Sequence, residues 1–436
     1  MTAERPELPA SLAAIASCVA GYDPNALAVE SARDFIARLV PRVEAVEQLA
    51  LRSALGRVLA RDIVSSIDVP SHDNSAMDGY ALRGADIAAA GPTLLRLAGS
   101  GYAGAAFDGS AGPMECVRIM TGAVMPAGLD TVVPQEFTTL DGAAVSVPPG
   151  VVRPGDNRRL AGEDLARGEV ALAAGRVLRP ADLGLLASLG QAEVPVRRRL
   201  RVAFFSTGNE LRSIGEPLDA GCVYDSNRYT LWAMLQRLGV EALDLGVVRD
   251  DPAALEAAFR SAAANADAVI TSGGVSVGEA DHTKAVMAKL GDVLFWRIAM
   301  RPGRPMAIGR IAADGAGHPG AVLFGLPGNP VAVMVTFYAL VRDALLAMAG
   351  ATAEPLPLLR AVSAEPIRKK PGRTEYQRAI VRRDADGECR VHITGSQGSG
   401  ILRSMSVANG LMVLHHDQGN VVAGERVDVL MFDGLV

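Results

Sequence analysis

Residues 200–210 read Leu200-Arg-Val-Ala-Phe-Phe-Ser-Thr-Gly-Asn-Glu210, and this stretch sets the fold class. Val202 to Phe205 is an unbroken apolar run, as expected of a strand buried on both faces, and it empties into a Ser-Thr-Gly-Asn loop. The same rhythm then repeats. Helical patterning covers Tyr229 to Leu238, with Ser226 and Asn227 available as caps. Ala242 to Val248 reads as a strand, and Pro252 to Ala263 as a helix opened by a proline. Ala268 to Thr271 is a strand entering Gly273-Gly274, followed by a helix over His282 to Leu290. Strands at Val293 to Ala299 and Val322 to Gly325 and a helix over Val331 to Met348 complete the series. Alternation with short loops predicts a parallel sheet covered by helices on both faces. Such sheets bind ligands beyond the carboxyl ends of their strands, which directs attention to loops 206–211, 223–228, 271–282, 300–305 and 326–330.

On the amino-terminal side, Val29 to Val58 carries apolar residues at helical spacing (Phe35, Leu39, Val43, Val46), with Ser31 as a candidate N-cap. Between Ile67 and Val170 the texture changes to short β-prone pieces separated by Gly, Pro and Asp. Turns are expected at Asp78-Gly79 and Asp141-Gly142, so this segment reads as a small all-β insertion. A helix returns over Ala181 to Leu189. On the carboxyl side, Pro355 and Pro357 mark a linker into five short strands, which predict a compact β-barrel or sandwich.

At 436 residues the chain exceeds one ordinary core, so two to four domains are expected. With 49% hydrophobic and 21% charged residues it suits a soluble globular protein, and with 4% aromatics its packing rests on Ala, Val and Leu. The net charge of −5 argues against a general nucleic-acid binder, and an anionic substrate would need a local cluster of Arg or Lys. Cys18, Cys116, Cys222 and Cys389 show no CxxC spacing, which fits reduced thiols in a cytoplasm. The apolar stretch before Cys18 lacks the basic start of a secretory signal. The uncharged run from Gly315 to Val341 is broken by Pro319, Pro327, Gly328 and Pro330, so a buried helix is expected rather than a membrane span.

The sharpest loop is Thr271-Ser-Gly-Gly-Val-Ser-Val-Gly-Glu-Ala-Asp281. Its glycines let backbone N–H groups approach a phosphate, and Asp281 stands where a carboxylate could hold a divalent cation against it. A tight strand–helix turn capped by Asp281 explains the same residues equally well. No Lys-Ser or Lys-Thr pair follows, so it is not a P-loop. Arg301 and Arg304, rigidified by prolines, suit a tetrahedral oxyanion or a phosphate, or form a solvated basic turn. Leu326-Pro-Gly-Asn-Pro330 is a strand–turn–helix corner. Glu210 and Asp225 could join Asp281 around Mg²⁺, a hard cation that prefers oxygen ligands, although Asp225, Ser226 and Asn227 also read as helix caps. In the insertion, Asp78-Gly79 is explained by a turn, whereas Asp73 has no such local reason.

Taken together and in order, the pieces DNSAMDGYAL (73–82), MTGAVMPAG (120–128), GEDLARGE (162–169), STGNEL (206–211), YDSNR (224–228), TSGGVSVGEADH (271–282), RPGRP (301–305), GLPGNPVAV (325–333), YQRA (376–379) and SMSVANGL (404–411) make the chain resemble the molybdopterin molybdenumtransferases, the family that includes the E domain of gephyrin. The resemblance implies an α/β plus all-β, multi-domain architecture and an elongated homodimer. Its parts are an N-terminal segment (1–28), a helical linker domain (29–66 and 167–198), an inserted β-rich domain (67–166), a three-layer α/β molybdopterin-binding domain (199–350) and a C-terminal β-barrel (351–436). It implies that adenylylated molybdopterin and molybdate give molybdenum cofactor and AMP with Mg²⁺ present. The expected partners are the molybdopterin adenylyltransferase and molybdoenzymes, with neither nucleic acid nor membrane involved. Two other classes match parts of the chain: a gephyrin-like clustering scaffold, and an adenylyl-transferring enzyme of the same pathway.

Carried onto this sequence, the resemblance assigns Thr207, Gly208, Gly273, Gly274, Ser276 and Asn329 to the substrate, and Asp281 with Glu210 and Asp225 to the cation. Asp281, Glu210, Asp73 and Asp164 form the catalytic acids. Arg301, Arg304, Arg378 and Ser404 form the molybdate pocket. Asp73, Thr121, Arg159 and Asp164 close the site from the partner subunit. The dithiolene sulfurs belong to the substrate, so no catalytic cysteine is expected. One departure stands out. The family pattern is KPGKP, whereas this chain has Arg301 and Arg304, so planar forks replace compact ammonium groups and leave the choice between molybdate and tungstate open.

Overall fold

The computed structural model describes residues 11–275, 282–313, 320–352 and 354–433, which form two compact units. One comprises Met1–Glu47, Gly56–Ala60 and Pro195–Val436; the other comprises Gln48–Leu55 and Arg61–Val194.

The larger unit is built on the expected βα series. Its elements are β1 (Arg201–Thr207), α1 (Ser226–Arg237), β2 (Glu241–Val248), α2 (Pro252–Asn265), β3 (Ala268–Ser272), α3 (His282–Leu290), β4 (Gly291–Arg297), β5 (Met300–Arg301), β6 (Pro305–Ile311), β7 (Ala321–Leu326) and α4 (Pro330–Thr336). The six-stranded sheet has the order β2-β1-β3-β7-β6-β4. β2, β1, β3 and β7 run parallel, but β6 is antiparallel to both β7 and β4. The expectation of a parallel sheet is therefore corrected at one side. No helix lies between Arg297 and Pro305, so the chain returns as a hairpin, and a hairpin can only pair antiparallel. The strand Pro305–Ile311 was not anticipated; its proline occupies the first strand position, where a missing N–H is tolerated.

Apolar side chains cover both faces. Phe205 meets Phe259 of α2 edge-to-face at 5.1 Å on one side, and Phe204 joins Leu231 and Leu235 of α1 on the other. Burying one such phenylalanine contributes roughly 1.5–3 kcal/mol. The early helix packs here as well, with Phe35 edge-to-face against Trp296 at 5.0 Å. That helix is Val29–Leu39, much shorter than the periodicity to Val58 suggested. Val40 precedes Pro41 and takes ψ 126°, since a residue before proline is pushed out of the helical region. Ser31 is no cap, because Ala28 precedes the helix and the Ser31 hydroxyl donates to Ala20 O. From Pro330 the chain stays helical through a π turn at Phe337–Val341 to Met348. This stretch is long and apolar enough to cross a membrane, but 78% of its apolar window is buried within the unit, which makes it a core helix.

The C-terminal strands β8 (Leu359–Ser363), β9 (Thr374–Arg383), β10 (Cys389–Ile393), β11 (Gly410–Leu414) and β12 (Arg426–Met431) close in the order β9-β10-β8-β12-β11, with β11 pairing back to β9. The result is a five-stranded barrel with Ala361, Ala379, Val391, Met412 and Val429 inside. β5 pairs parallel with β9, setting Met300 beside Thr374 and Arg301 beside Glu375.

The smaller unit is β-rich, with a six-stranded sheet in the order 131–134, 79–82, 115–119, 93–101, 144–147 and 139–141. Asp141-Gly142 is the expected turn, with Gly142 at φ +56° between two antiparallel strands. Asp78-Gly79 is not simply a turn. Gly79 opens a strand, and any Cβ there would collide with the carbonyl of Val133.

Candidate functional site

Strand register brings three loops together. β1 aligns Ser206 with Ser272 of β3, and β3 aligns Ser272 with Leu326 of β7, so loops 206–211, 272–275 and 326–330 leave the sheet side by side. Gly273 N–H donates to Leu326 O at 3.1 Å. At φ +96°, a Cβ on Gly273 would lie 2.5 Å from Thr207 O, and at φ +68° one on Gly274 would lie 2.5 Å from Thr283 Oγ1. Only glycine fits both the angle and the space. Asn227 ties the loops together, its Nδ2 donating to Ser272 Oγ (2.8 Å) and to Gly328 O (2.7 Å).

These loops open into a cleft of about 840 Å³ that also touches the barrel through Arg373, Gln397, Gly398 and Ser399. Of the residues named from sequence, Thr207, Gly208, Glu210, Gly273, Gly274, Arg301, Arg304 and Asn329 line it. Asp281 and Ser276 lie outside the described residues.

The acidic side of the cleft holds Glu210 and Asp250. Glu210 folds back over its own loop, so that a Cβ on Gly208 would sit 2.6 Å from Oε2. Asp250 was missed by sequence reasoning. The signal was the pair Asp250-Asp251 ahead of Pro252: Asp251 caps α2 through Ala254 N–H, which leaves Asp250 without a capping duty. Its Oδ1 is buried and has no hydrogen-bond partner among the described residues. Asp225 is not in the lining. It is 2% exposed and caps α1, accepting from Arg228 N–H (3.2 Å) and from Ser206 Oγ (3.0 Å). Asp225, rather than Ser226 or Asn227, is thus the cap, because the latter two already lie in the first helical turn. Among the described residues, no three His, Cys, Asp or Glu side chains gather as a metal set.

The basic side holds Arg301, Arg304 and Arg373. Gly303, at φ +95°, is pressed so close to Thr336 Oγ1 of α4 that no Cβ would fit, which fixes the loop carrying Arg301 and Arg304. Among the described residues neither arginine forms an ion pair. Arg378 lies behind them, 1% exposed, donating from Nε to Ser404 Oγ and from Nη2 to Gly398 O, both at 2.9 Å. Burial, and then the like charge of Arg301, push its guanidinium down to about 10. The Ser404 hydroxyl in turn donates a hydrogen bond to Ile401 O at 2.6 Å. Arg378 and Ser404 thus support the 396–399 loop, while Arg301 and Arg304 face the opening. Several guanidiniums at one wall without a carboxylate for each make a strong local anion site on a chain of net charge −5.

The smaller unit gathers the other expected residues by itself. Strand 74–75 pairs with 158–159, placing Asn74 beside Arg159, and Gly122 N–H donates to Ser75 O at 2.8 Å. Asp73 does have a local role: it accepts from Ala161 N–H (2.8 Å) and from Arg158 Nε (2.9 Å). The Ala161 N–H, with Arg158 in support, holds its carboxyl below the usual aspartate range. Thr121 donates its N–H and hydroxyl to Asp78, each at 2.7 Å. Arg159 pairs with Glu163 at 2.6 Å, and Asp164 is exposed.

An α/β sheet with glycine loops facing a cationic cleft, joined to a closed barrel and accompanied by a β-rich unit, defines a multidomain protein with a cleft suited to an anionic ligand. Models of known families match along the chain: the MoeA N-terminal region (domain I and II) over residues 27–190, a probable molybdopterin binding domain over 203–347, and the MoeA C-terminal region (domain IV) over 360–432. The molybdopterin molybdenumtransferase of Haemophilus influenzae is 42% identical over 94% of this chain and 100% of its own length. That of Nostoc sp. is 36% identical over 92% and 93%. The crystal structure of the molybdopterin biosynthesis MoeA protein of Pyrococcus horikoshii superimposes with a TM-score of 0.79 at 28% identity, covering 94% of this chain and 100% of that one. The chain belongs to the molybdopterin molybdenumtransferase family and is an enzyme of molybdenum cofactor biosynthesis.

Proposed function

We propose that this enzyme inserts molybdenum from molybdate into adenylylated molybdopterin, releasing AMP, in a reaction that requires a divalent cation such as Mg²⁺. The supporting observation is the polarity of one cleft: glycine loops and two carboxylates on one side, and on the other three guanidiniums, of which Arg301 and Arg304 form no ion pair among the described residues. The residues suit their assigned duties. The glycine loop at Gly273 and Gly274 borders the space proposed for the substrate phosphates, and Thr207, Gly208 and Asn329 border the same space. Arg301 and Arg304 draw in molybdate and hold it beside the pterin, supported from behind by Arg378 and Ser404. Glu210 and Asp250 are oxygen donors of the kind a hard cation takes, and the unpartnered Asp250 Oδ1 fits such a group. When bound, the cation offsets charge on the pyrophosphate as it is cleaved; Asp281 is assigned to the same duty.

The enzyme is further proposed to act as a homodimer, in which Asp73, Thr121, Arg159 and Asp164 of one copy serve the cleft of the other. Exposed Val223, Tyr224, Tyr229 and Trp232 on the larger unit, and Met77 and Leu160 beside Asp73 and Arg159 on the smaller, are apolar surfaces suited to such assembly. The substrate would come from a molybdopterin adenylyltransferase and the product pass to molybdoenzymes, all within the cytoplasm. Reconstitution with purified adenylylated molybdopterin, Mg²⁺ and molybdate tests the reading, following AMP and cofactor together. Arg301→Ala should raise the half-saturating molybdate concentration by about tenfold or more, from the ~1.5–3 kcal/mol of a charged hydrogen bond. An unchanged value removes Arg301 from the anion site. Mixing Asp73→Ala subunits with Arg301→Ala subunits, at molybdate too dilute for the Arg301→Ala homodimer to turn over, should restore part of the activity, and failure to do so rejects the shared cleft.

A further inference from the structure

Arg373 borders the cleft with Arg301 and Arg304 but belongs to none of the motifs that marked the site. It stands where the turn at Gly372, φ +93°, enters β9. That turn is anchored from below: Gly372 N–H donates to His416 O at 2.9 Å, and buried Lys369 donates to His416 O (3.0 Å) and Gln418 O (2.7 Å). The Arg373 guanidinium gives one edge, Nε at 2.8 Å and Nη2 at 2.7 Å, to Glu375 Oε1. Glu375 has a side chain only 3% exposed, and its other oxygen accepts from Gln377 Nε2 at 3.2 Å. The β5–β9 pairing sets Glu375 beside Arg301, so the supporting acid and the exposed anion-site arginine share one ladder position.

A buried carboxylate holding one edge of a planar fork fixes the plane of that fork and leaves its opposite edge for a second acceptor. The Arg373 side chain remains 39% exposed, and its Nη1 has no acceptor among the described residues. We propose that Arg373 is a third guanidinium ligand for a tetrahedral oxyanion in this cleft, with Glu375 as its positioning residue. The inference rests on reading the cleft as the site for molybdate and the nucleotide-linked pterin. Two sources offer the same chemistry, the free oxyanion and the phosphate of the nucleotide.

Titration calorimetry on the full-length protein separates them, with sodium molybdate in one arm and AMP in the other. Arg373→Gln should weaken binding about tenfold in at least one arm, as expected for losing a charged hydrogen bond. A loss confined to molybdate assigns the free oxyanion; a loss in the AMP arm assigns the phosphate. Arg373→Lys should recover only part, because an ammonium restores charge without the fork. Glu375→Gln should raise KM for the affected substrate while leaving kcat unchanged, which separates aim from chemistry. The double variant Arg373→Gln/Glu375→Gln leaves no unpaired buried carboxylate, so its binding loss should match that of Arg373→Gln while its thermal stability stays near wild type. Wild-type binding of both anions by Arg373→Gln overturns the inference. Failure of the wild-type protein to bind either anion overturns the functional reading beneath it.

Discussion

Replacing Arg378 with methionine should separate stability from anion binding. Arg378 is 1% exposed, and the charge that acts on its guanidinium is that of Arg301, also positive. Its fall from the ordinary arginine value to about 10 corresponds to roughly 3 kcal/mol against the charged form in the folded chain, at ~1.4 kcal/mol per tenfold change. The sign follows from proton counting. Between about 10 and the higher, ordinary arginine value the unfolded chain binds more protons, so stability rises with pH there; below that window the full cost of the buried charge is present, including at neutral pH. Methionine removes this cost but leaves Gly398 O and Ser404 Oγ without their 2.9 Å donor, a loss of ~1–3 kcal/mol for each. The two sides nearly cancel, which predicts a variant of close to wild-type stability without oxyanion. Molybdate, which neutralises the arginine cluster, should raise the wild-type melting midpoint more than that of Arg378→Met, which keeps Arg301 and Arg304 but has less buried charge to offset. Thermal melts of both proteins at pH 7.5, with and without millimolar molybdate, read this directly. A variant several kcal/mol less stable yet equally protected by molybdate would refute the view that Arg378 bears a charge the fold tolerates for the sake of an anion.

Gly273→Ala should lower stability by about 1–3 kcal/mol and weaken nucleotide binding, because the strained φ and the contact with Thr207 O are both local to the phosphate loop; urea unfolding and AMP titration check the two effects. Asp73 concerns acid stability. Its carboxyl is depressed by Ala161 N–H and Arg158, so its contribution is present above the ordinary aspartate pKa and is lost as pH falls through the lower folded value. Asp73→Asn should therefore flatten the acid side of the stability curve of the β-rich unit, measured by denaturation between pH 2 and 6. A curve of unchanged steepness would show that Asp73 makes no net difference.

The strands at 202–205, 268–271 and 322–325 were legible because burial on both faces leaves an uninterrupted apolar run. The direction of β6 was not, because pairing sense is decided by the length of a connection rather than by the composition of a strand. The helix ending at Leu39 was overread because Phe35, Leu39, Val43 and Val46 keep a helical period that Pro41 interrupts. In the site, glycine loops and paired arginines were legible by type. Asp250 and Arg373 were not: each lies next to a turn residue that accounts for its neighbourhood, and only the fold reveals that the side chain borders the cleft. Asp73 was noticed for lacking a local reason, and the structure supplied one through Arg158 and Ala161, distant in sequence.

The short pairing of β5 with β9 bears on dissection of this enzyme. A fragment ending near residue 350 would retain every helix and strand of the α/β sheet, yet the segment carrying Arg301 and Arg304 would lose the neighbour that completes its ladder, and Val331 N–H would lose its bond to Ser399 O. Such a fragment would keep Gly273, Gly274, Arg301 and Arg304 while forfeiting the wall of the cleft made by Arg373, Gln397, Gly398 and Ser399. The barrel is thus a structural part of the cleft, and if the proposed function holds, separating it disarms the catalyst.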